Sequence, residues 1–220
     1  MIVRSGPFEM YTSRYDEWFQ RNRFVYVSEI EAIRKHMLPD GKGLEVGVGT
    51  GRFATPLNIG FGLDPSGKMI SIAHKRGIEV VQGVGEKLPF RDSGFDVVLM
   101  VTTLCFLDDA KAAFREVNRV LKTGGRFIIG LIDRDSPVGK LYMEKKDSSV
   151  FYSQATFYSV EEVLSLLDTS GFVDPVFTQT LFRDLGDTKD QEPVLEGYGK
   201  GSFVVVSASK TKVLHAEVRV

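Results

Sequence analysis

Nine residues constrain this chain more than any others: Gly43-Leu44-Glu45-Val46-Gly47-Val48-Gly49-Thr50-Gly51. A short apolar run meets three glycines at alternate positions, and Arg52-Phe53-Ala54-Thr55-Pro56-Leu57 follows. The pattern predicts a buried strand, a tight turn and then a helix. Glycine permits positive φ and lets a ligand come within van der Waals distance of the main chain.

The chain continues in the same style. Residues 59–63 read as a second strand ending at Asp64, and Ser66 then caps a helix bearing Met69, Ile70, Ile72 and Ala73 that ends at Gly77. Residues 78–81 form a third strand, and the apolar run 95–101 a fourth, buried on both faces. Asp108 or Asp109 caps a helix with Ala110, Ala113, Phe114, Val117, Val120 and Leu121 on one side; Gly124-Gly125 ends it before strand five at 126–131. Strands alternating with helices predict a parallel, doubly wound α/β sheet. Ser159-Val160-Glu161-Glu162 is a capping box for one more helix, closed by Gly171. Two strands follow without a helix between them, about 172–182 and 202–208, so they pair antiparallel. The polar stretch 183–200 between them suits a loop or a mobile hairpin tip.

Composition excludes several classes. Lys and Arg total 28 against 29 Asp and Glu, so no electrostatic footprint for nucleic acid or an anionic membrane shows. Cys105 is the single cysteine, so no internal disulfide forms and a reducing compartment fits. No apolar run is long enough to span a bilayer, and the N-terminus lacks a signal-peptide pattern. A cytoplasmic protein is expected. Residues 1–40 are read as an N-terminal helical lid or cap, and 41–210 as a single globular domain. Within the first part, Phe8, Tyr11, Tyr15, Trp18, Phe19, Phe24 and Tyr26 precede or open a helix that Pro39-Asp40-Gly41 stops.

Two ligand classes use a glycine turn of this kind. The dinucleotide fingerprint G-x-G-x-x-G/A fits only when started at Gly49, which leaves Gly47 and Val48 surplus. It also strands Glu45 inside strand one, where an uncompensated carboxylate costs several kcal/mol by rough estimate. S-adenosylmethionine supplies the compensation, because its methionyl ammonium and sulfonium are both cationic. It carries no phosphate for the helix N-terminus to hold.

Four segments now carry a family resemblance. Leu44 to Arg52 resembles motif I of the class I S-adenosylmethionine-dependent methyltransferases, and Gly62-Leu63-Asp64-Pro65-Ser66 with Met69 resembles their second-strand signature. Gly85-Glu86-Lys87-Leu88-Pro89-Phe90 with Phe95-Asp96-Val97-Val98 resembles the segment around strand four. Glu116 to Arg126 resembles the helix and turn before strand five, with Thr123 where a proline is common. The resemblance covers about residues 40–131 and is nearest to the small type 11 branch, which includes quinone-biosynthesis C-methyltransferases. It implies a Rossmann-like sheet of seven strands in the order 3-2-1-4-5-7-6, with strand 7 antiparallel.

The resemblance also implies roles. Asp64, followed by Pro65, would accept bonds from the ribose hydroxyls; the alternative is a helix-start acid. Glu45 would hold the methionyl ammonium directly or through water, the alternative being a structural bond to loop amides. Gly47, Gly49 and Gly51 would admit the methionyl part and ribose. Gly85 and Glu86 would border the adenine, with Val84 where many relatives carry Asp. Val101 and Thr102 would lie beside the methyl. Methyl transfer needs alignment and exclusion of water more than a fixed base, so no catalytic residue is assigned and no metal is expected. The acceptor, expected to be a small molecule, would meet Tyr11, Tyr15, Trp18 and Phe19, the loop 102–106, and residues 133–158 with Tyr142. Two rivals stay open: a catalytically silent methyltransferase-like binding protein and an NAD-binding domain.

Overall fold

Residues 5–211 are described in the computed structural model; residues 1–4 of the expected lid lie outside them. Three helices open the chain, α1 (Gly6–Met10), α2 (Thr12–Arg21) and α3 (Arg23–Arg34). Asn22 separates the last two, its side chain and its N–H both donating to the Trp18 carbonyl. Then come β1 (Gly43–Val46), β2 (Phe61–Asp64), α4 (Gly67–Lys75), β3 (Glu79–Gln82), β4 (Phe95–Val101), α5 (Ala110–Val120) and β5 (Leu121–Ile132). The last third holds α6 (Pro137–Glu144), α7 (Val160–Thr169), β6 (Phe172–Thr180), β7 (Leu195–Glu196) and β8 (Phe203–Lys210).

Side-chain caps set most of the helix starts. Ser66 Oγ accepts from Met69 N at 3.2 Å, Asp109 Oδ1 from Ala112 N at 2.9 Å, and Ser136 Oγ from Gly139 N at 3.0 Å. At α7 the capping box closes, with Ser159 N donating to Glu162 Oε2 at 2.8 Å. Each such cap satisfies amides that the first turn leaves without a partner, worth about 1 kcal/mol.

The sheet runs β3-β2-β1-β4-β5-β8-β6-β7. Strands β1 to β5 run parallel to one another, and β8 inserts antiparallel between β5 and β6. The expected order 3-2-1-4-5-7-6 is therefore present with one strand added: the stretch 183–200 contributes two residues that pair with Thr178 and Gln179 at the edge. That segment is anchored as well as paired. Buried Glu192 accepts from Phe182 N and Thr188 Oγ1, and its own N–H donates to Ser28 on α3.

Alternation along the strands sorts two cores. Val97, Leu99, Val101, Ile128, Phe203 and Val205 face α3 and α4, whereas Val98, Met100, Phe127, Ile129, Val204 and Val206 face α5 and α7. Burial on both faces accounts for the unbroken apolar run at 95–101. Helix α3 belongs to the first of these layers, contributing Val25, Ile30, Ala32 and Ile33, and α2 adds Phe19 to it.

Three local expectations are corrected. No α-helix follows the glycine turn: the chain makes one 3-10 turn at Thr55–Leu57, and Asn58 in the left-handed conformation (φ 56°) returns it to β2. Pro56 supplies no amide for a longer helix. Helix α5 ends at Val120, and Leu121 already pairs with Phe95. The next ladder pair is Val97 with Arg126, so Lys122 to Gly125 bulge out of the sheet. Helix α6 was not expected at all, although Ser136-Pro137 is a good start for one. Among the described residues no helix is long and apolar enough to cross a membrane.

Candidate active site

The glycine turn ends β1 where the strand order reverses between β1 and β4, which is where open α/β sheets bind ligands. Gly47 has φ 76°, and a Cβ there would stand 2.2 Å from Thr103 Oγ1, so the backbone path admits no side chain. Gly47 N and Val48 N both donate to Leu63 O, and Gly49 N donates to Asp64 Oδ2 at 2.9 Å. Asp64 Oδ1 accepts from Ser66 N at 2.9 Å. The Asp64 carboxyl thus joins the turn to the start of α4. Burial pushes its pKa up to about 6 against these two amide bonds, and Glu9 adds to the rise.

A cleft opens over this turn. Gly47, Gly49, Asp64, Pro65, Gly85, Glu86, Val101 and Thr102 line it, together with Ser5, Phe8, Tyr15, Met69, Val84, Thr103 and Phe106. Eight of the ten residues expected to hold a cofactor therefore meet around one hollow. Glu45 and Gly51 do not line it. Gly51 packs against α4 and the chain entering β3, where a Cβ would come within 2.5 Å of Ile78 Cδ1. Glu45 is buried beneath the turn with Oε2 unpartnered. Burial raises its pKa well above the ordinary carboxylate range; the Ala54 amide bond opposes this and Asp64 reinforces it.

Helices α1 and α2 border the cleft through Phe8 and Tyr15. Glu9 of α1 accepts from Ser66 Oγ and from Lys68 N, tying α1 to the α4 start. Asp16 of α2 accepts from Thr50 Oγ1 at 2.7 Å, Arg52 Nε at 2.8 Å and Arg76 Nη2 at 2.9 Å. Burial alone would raise the Asp16 pKa, but these three donors outweigh it and hold the carboxyl well below its ordinary range. Helix α2 is in this way fastened to the last residues of the glycine turn.

Behind the cleft lies a second cavity of about 470 Å³. Its lining includes Trp18, Phe19, Phe53, Tyr142, Phe151 and Leu185, with Glu29 on α3 and Arg14, Arg21 and Asn22 on or beside α2. Phe8, Tyr15, Thr102 and Tyr152 line both hollows and form the wall between them. The rings of that wall interlock: Phe8 meets Phe106, Phe151 and Tyr15 at centroid distances of 5.0, 5.2 and 5.8 Å, and Tyr152 stacks on Phe106 and Tyr142. Thr102 holds a left-handed conformation (φ 48°) that a β-branched residue rarely adopts, so the fold keeps strain at this wall.

Of the aromatics expected around an acceptor, Tyr15, Trp18, Phe19 and Tyr142 line the second cavity, and Tyr11 faces solvent between α1 and α2. Phe106 closes the loop 102–106 and Phe151 and Tyr152 lie within 133–158, both segments expected around the acceptor, and Phe8 is one of the N-terminal aromatics. Glu29 was missed, yet a signal existed. It shares a helical stripe with Val25, Ala32 and Ile33, where a carboxylate is out of place. Among the described residues no three His, Cys, Asp or Glu side chains cluster as metal ligands.

Comparison with known proteins agrees with this geometry. A family model described as a methyltransferase domain, type 11, matches residues 44–129. An uncharacterized protein of Methanocaldococcus jannaschii is 51% identical over 203 residues, covering 92% of this chain and 98% of its own length. The demethylmenaquinone methyltransferase of Staphylococcus haemolyticus is 26% identical over 204 residues, 75% of this chain and 83% of that one. A Thermotoga maritima crystal structure, described as an S-adenosylmethionine-dependent methyltransferase and possible histamine N-methyltransferase, superposes with a TM-score of 0.91. It is 47% identical and covers 94% of this chain and all of that one. The cleft over the glycine turn and these relatives together place the chain in the S-adenosylmethionine-dependent methyltransferases.

Proposed function

We propose that this enzyme methylates a small molecule seated in the 470 Å³ aromatic cavity, across the wall formed by Phe8, Tyr15, Thr102 and Tyr152. The observation that carries this reading is that two hollows share one wall, the first built on the glycine turn and the second of a size for small ligands.

The chain's own residues fit the cofactor. Each Asp64 oxygen accepts one amide and keeps a lone pair for a ribose hydroxyl. Gly85, with Val84 and Glu86, borders the adenine through main chain and apolar contact. Glu86 itself is engaged, accepting from Asp108 N at 2.7 Å. Gly47 and Gly49 admit the methionyl end, and the unpartnered oxygen of Glu45 puts an acid behind the turn for a cationic ligand. S-adenosylmethionine supplies an electrophilic methyl on a positively charged sulfur. Tyr15 and Tyr152 keep their hydroxyl protons: burial raises both pKa values, with Glu45 and Asp64 adding to the rise at Tyr15 and Tyr142 adding to it at Tyr152, so the wall stays uncharged. The aromatic wall excludes water and orients the acceptor toward Thr102.

Incubation with labelled methyl donor and a small-molecule library, read by mass spectrometry, tests the reading. A gain of one methyl on a small molecule supports it. Label appearing only on added protein or nucleic acid would contradict it.

A further inference from the structure

The second cavity contains one carboxyl, Glu29, among rings and aliphatic groups. Glu29 is only 5% exposed, and no described residue donates a hydrogen bond or ion pair to its carboxyl. Its carboxyl lines the cavity with no donor on it among the described residues, so a ligand that fills the cavity and displaces water must itself complete that carboxyl. Tyr15, Trp18, Phe19, Phe53, Tyr142 and Tyr152 line the same space. Ring faces attract a cation, and a carboxylate pairs with one; together they recognise a protonated amine.

We propose that Glu29 is the specificity group of the acceptor cavity, binding the basic nitrogen of a small, aromatic-sized amine. The assignment rests on the acceptor reading given above. The other charged groups of the cavity are Arg14 and Arg21, both on the solvent-exposed side of α2, where water screens them. Arg21 also has Glu17 as an ion-pair partner at 3.8 Å. Tyr15, Tyr142 and Tyr152 stay neutral through the physiological range, the Tyr142 hydroxyl being pushed up to about 12.

The pairing has a proton signature. Burial pushes the Glu29 pKa up to about 8, so the acid form predominates at pH 7. An entering ammonium is met by the carboxylate, and the displaced proton goes to solvent. Binding therefore releases close to one proton at pH 7 and few at pH 9, where Glu29 is already ionised.

The test is calorimetry on the full chain saturated with S-adenosylhomocysteine. The probes are 2-phenylethylamine and 2-(indol-3-yl)ethylamine against the matching alcohols, in two buffers of different ionisation heat at pH 7 and pH 9. The amines should bind at least about tenfold more tightly than the alcohols, with near one proton released at pH 7. Glu29→Gln should weaken the amines about tenfold or more and abolish the release, with S-adenosylhomocysteine binding unchanged. Equal binding of amine and alcohol, amine binding without proton release, or no amine binding in protein that holds S-adenosylhomocysteine would each overturn the assignment and leave the methyltransferase reading standing. Loss of S-adenosylhomocysteine binding by the parent would bring down both. Should Glu29→Gln not fold, the parent's preference for amine over matching alcohol decides.

Discussion

Asp64 and Glu29 are both buried acids with raised pKa values, and the two make opposite demands. Asp64 must be ionised to accept ribose hydroxyls, so binding below about pH 6 costs a deprotonation. Affinity for S-adenosylhomocysteine should fall about tenfold from pH 7 to pH 5, and Asp64→Asn should remove that slope. The same substitution should weaken binding by roughly 1–3 kcal/mol, since charge-assisted bonds to the hydroxyls are lost. Equal affinity of parent and variant would make Asp64 a helix-start acid only. For Glu29 the consequence falls on folding. The native state keeps its proton up to about pH 8, whereas the unfolded chain releases it near the ordinary carboxylate value. Between those limits the native state binds more protons, so stability declines as pH rises. Glu29→Gln should therefore leave stability nearly unchanged at pH 5 and raise it by about 1–4 kcal/mol at pH 8, as measured by urea denaturation.

At the scale of elements, the fastening of α2 decides how the cleft is closed. Asp16 joins Thr50, Arg52 and Arg76 in one charge cluster, and the Tyr26 hydroxyl also donates to the Arg52 carbonyl. Asp16→Asn should cost about 1–2 kcal/mol of stability and weaken cofactor binding, because it loosens the turn and its lid together; a variant that loses stability with unaltered affinity would separate the two. Trp18, the chain's single tryptophan, lines the second cavity beside Phe19, and on the proposed reading its fluorescence should shift when an acceptor enters. An unchanged spectrum at saturating acceptor would place the ligand elsewhere. These elements also show what was legible in sequence and why the rest was not. Ser66, Asp109 and the Ser159–Glu162 box act locally, so each helix start could be read from a few residues. The 3-10 turn at Thr55–Leu57 is harder to read, because Pro56 fits the first turn of a full helix as well as a single turn, and only the left-handed Asn58 after it ends the helix there. Likewise the aromatic wall gathers residues 8, 15, 102 and 152 from four separate segments; composition showed the rings, and only the fold shows which of them meet.

Across the whole molecule, one mixed sheet, parallel from β1 to β5, with helices on both faces, sets two hollows side by side at the carboxyl ends of its parallel strands. The added edge strand Leu195–Glu196 extends this plan, and the loop before it brings Leu185 to the cavity while Glu192 anchors it to α3. The central claim is that the cleft over Gly47 and Gly49 holds the methyl donor with its reacting end turned to the wall of Phe8, Tyr15, Thr102 and Tyr152. A crystal structure of the complex with S-adenosylhomocysteine tests this most directly. The account predicts ribose hydroxyls on Asp64, adenine between Val84, Gly85 and Leu107, and the sulfur facing Thr102 and the aromatic cavity. Ligand density outside this cleft, or a sulfur turned away from that wall, would contradict it.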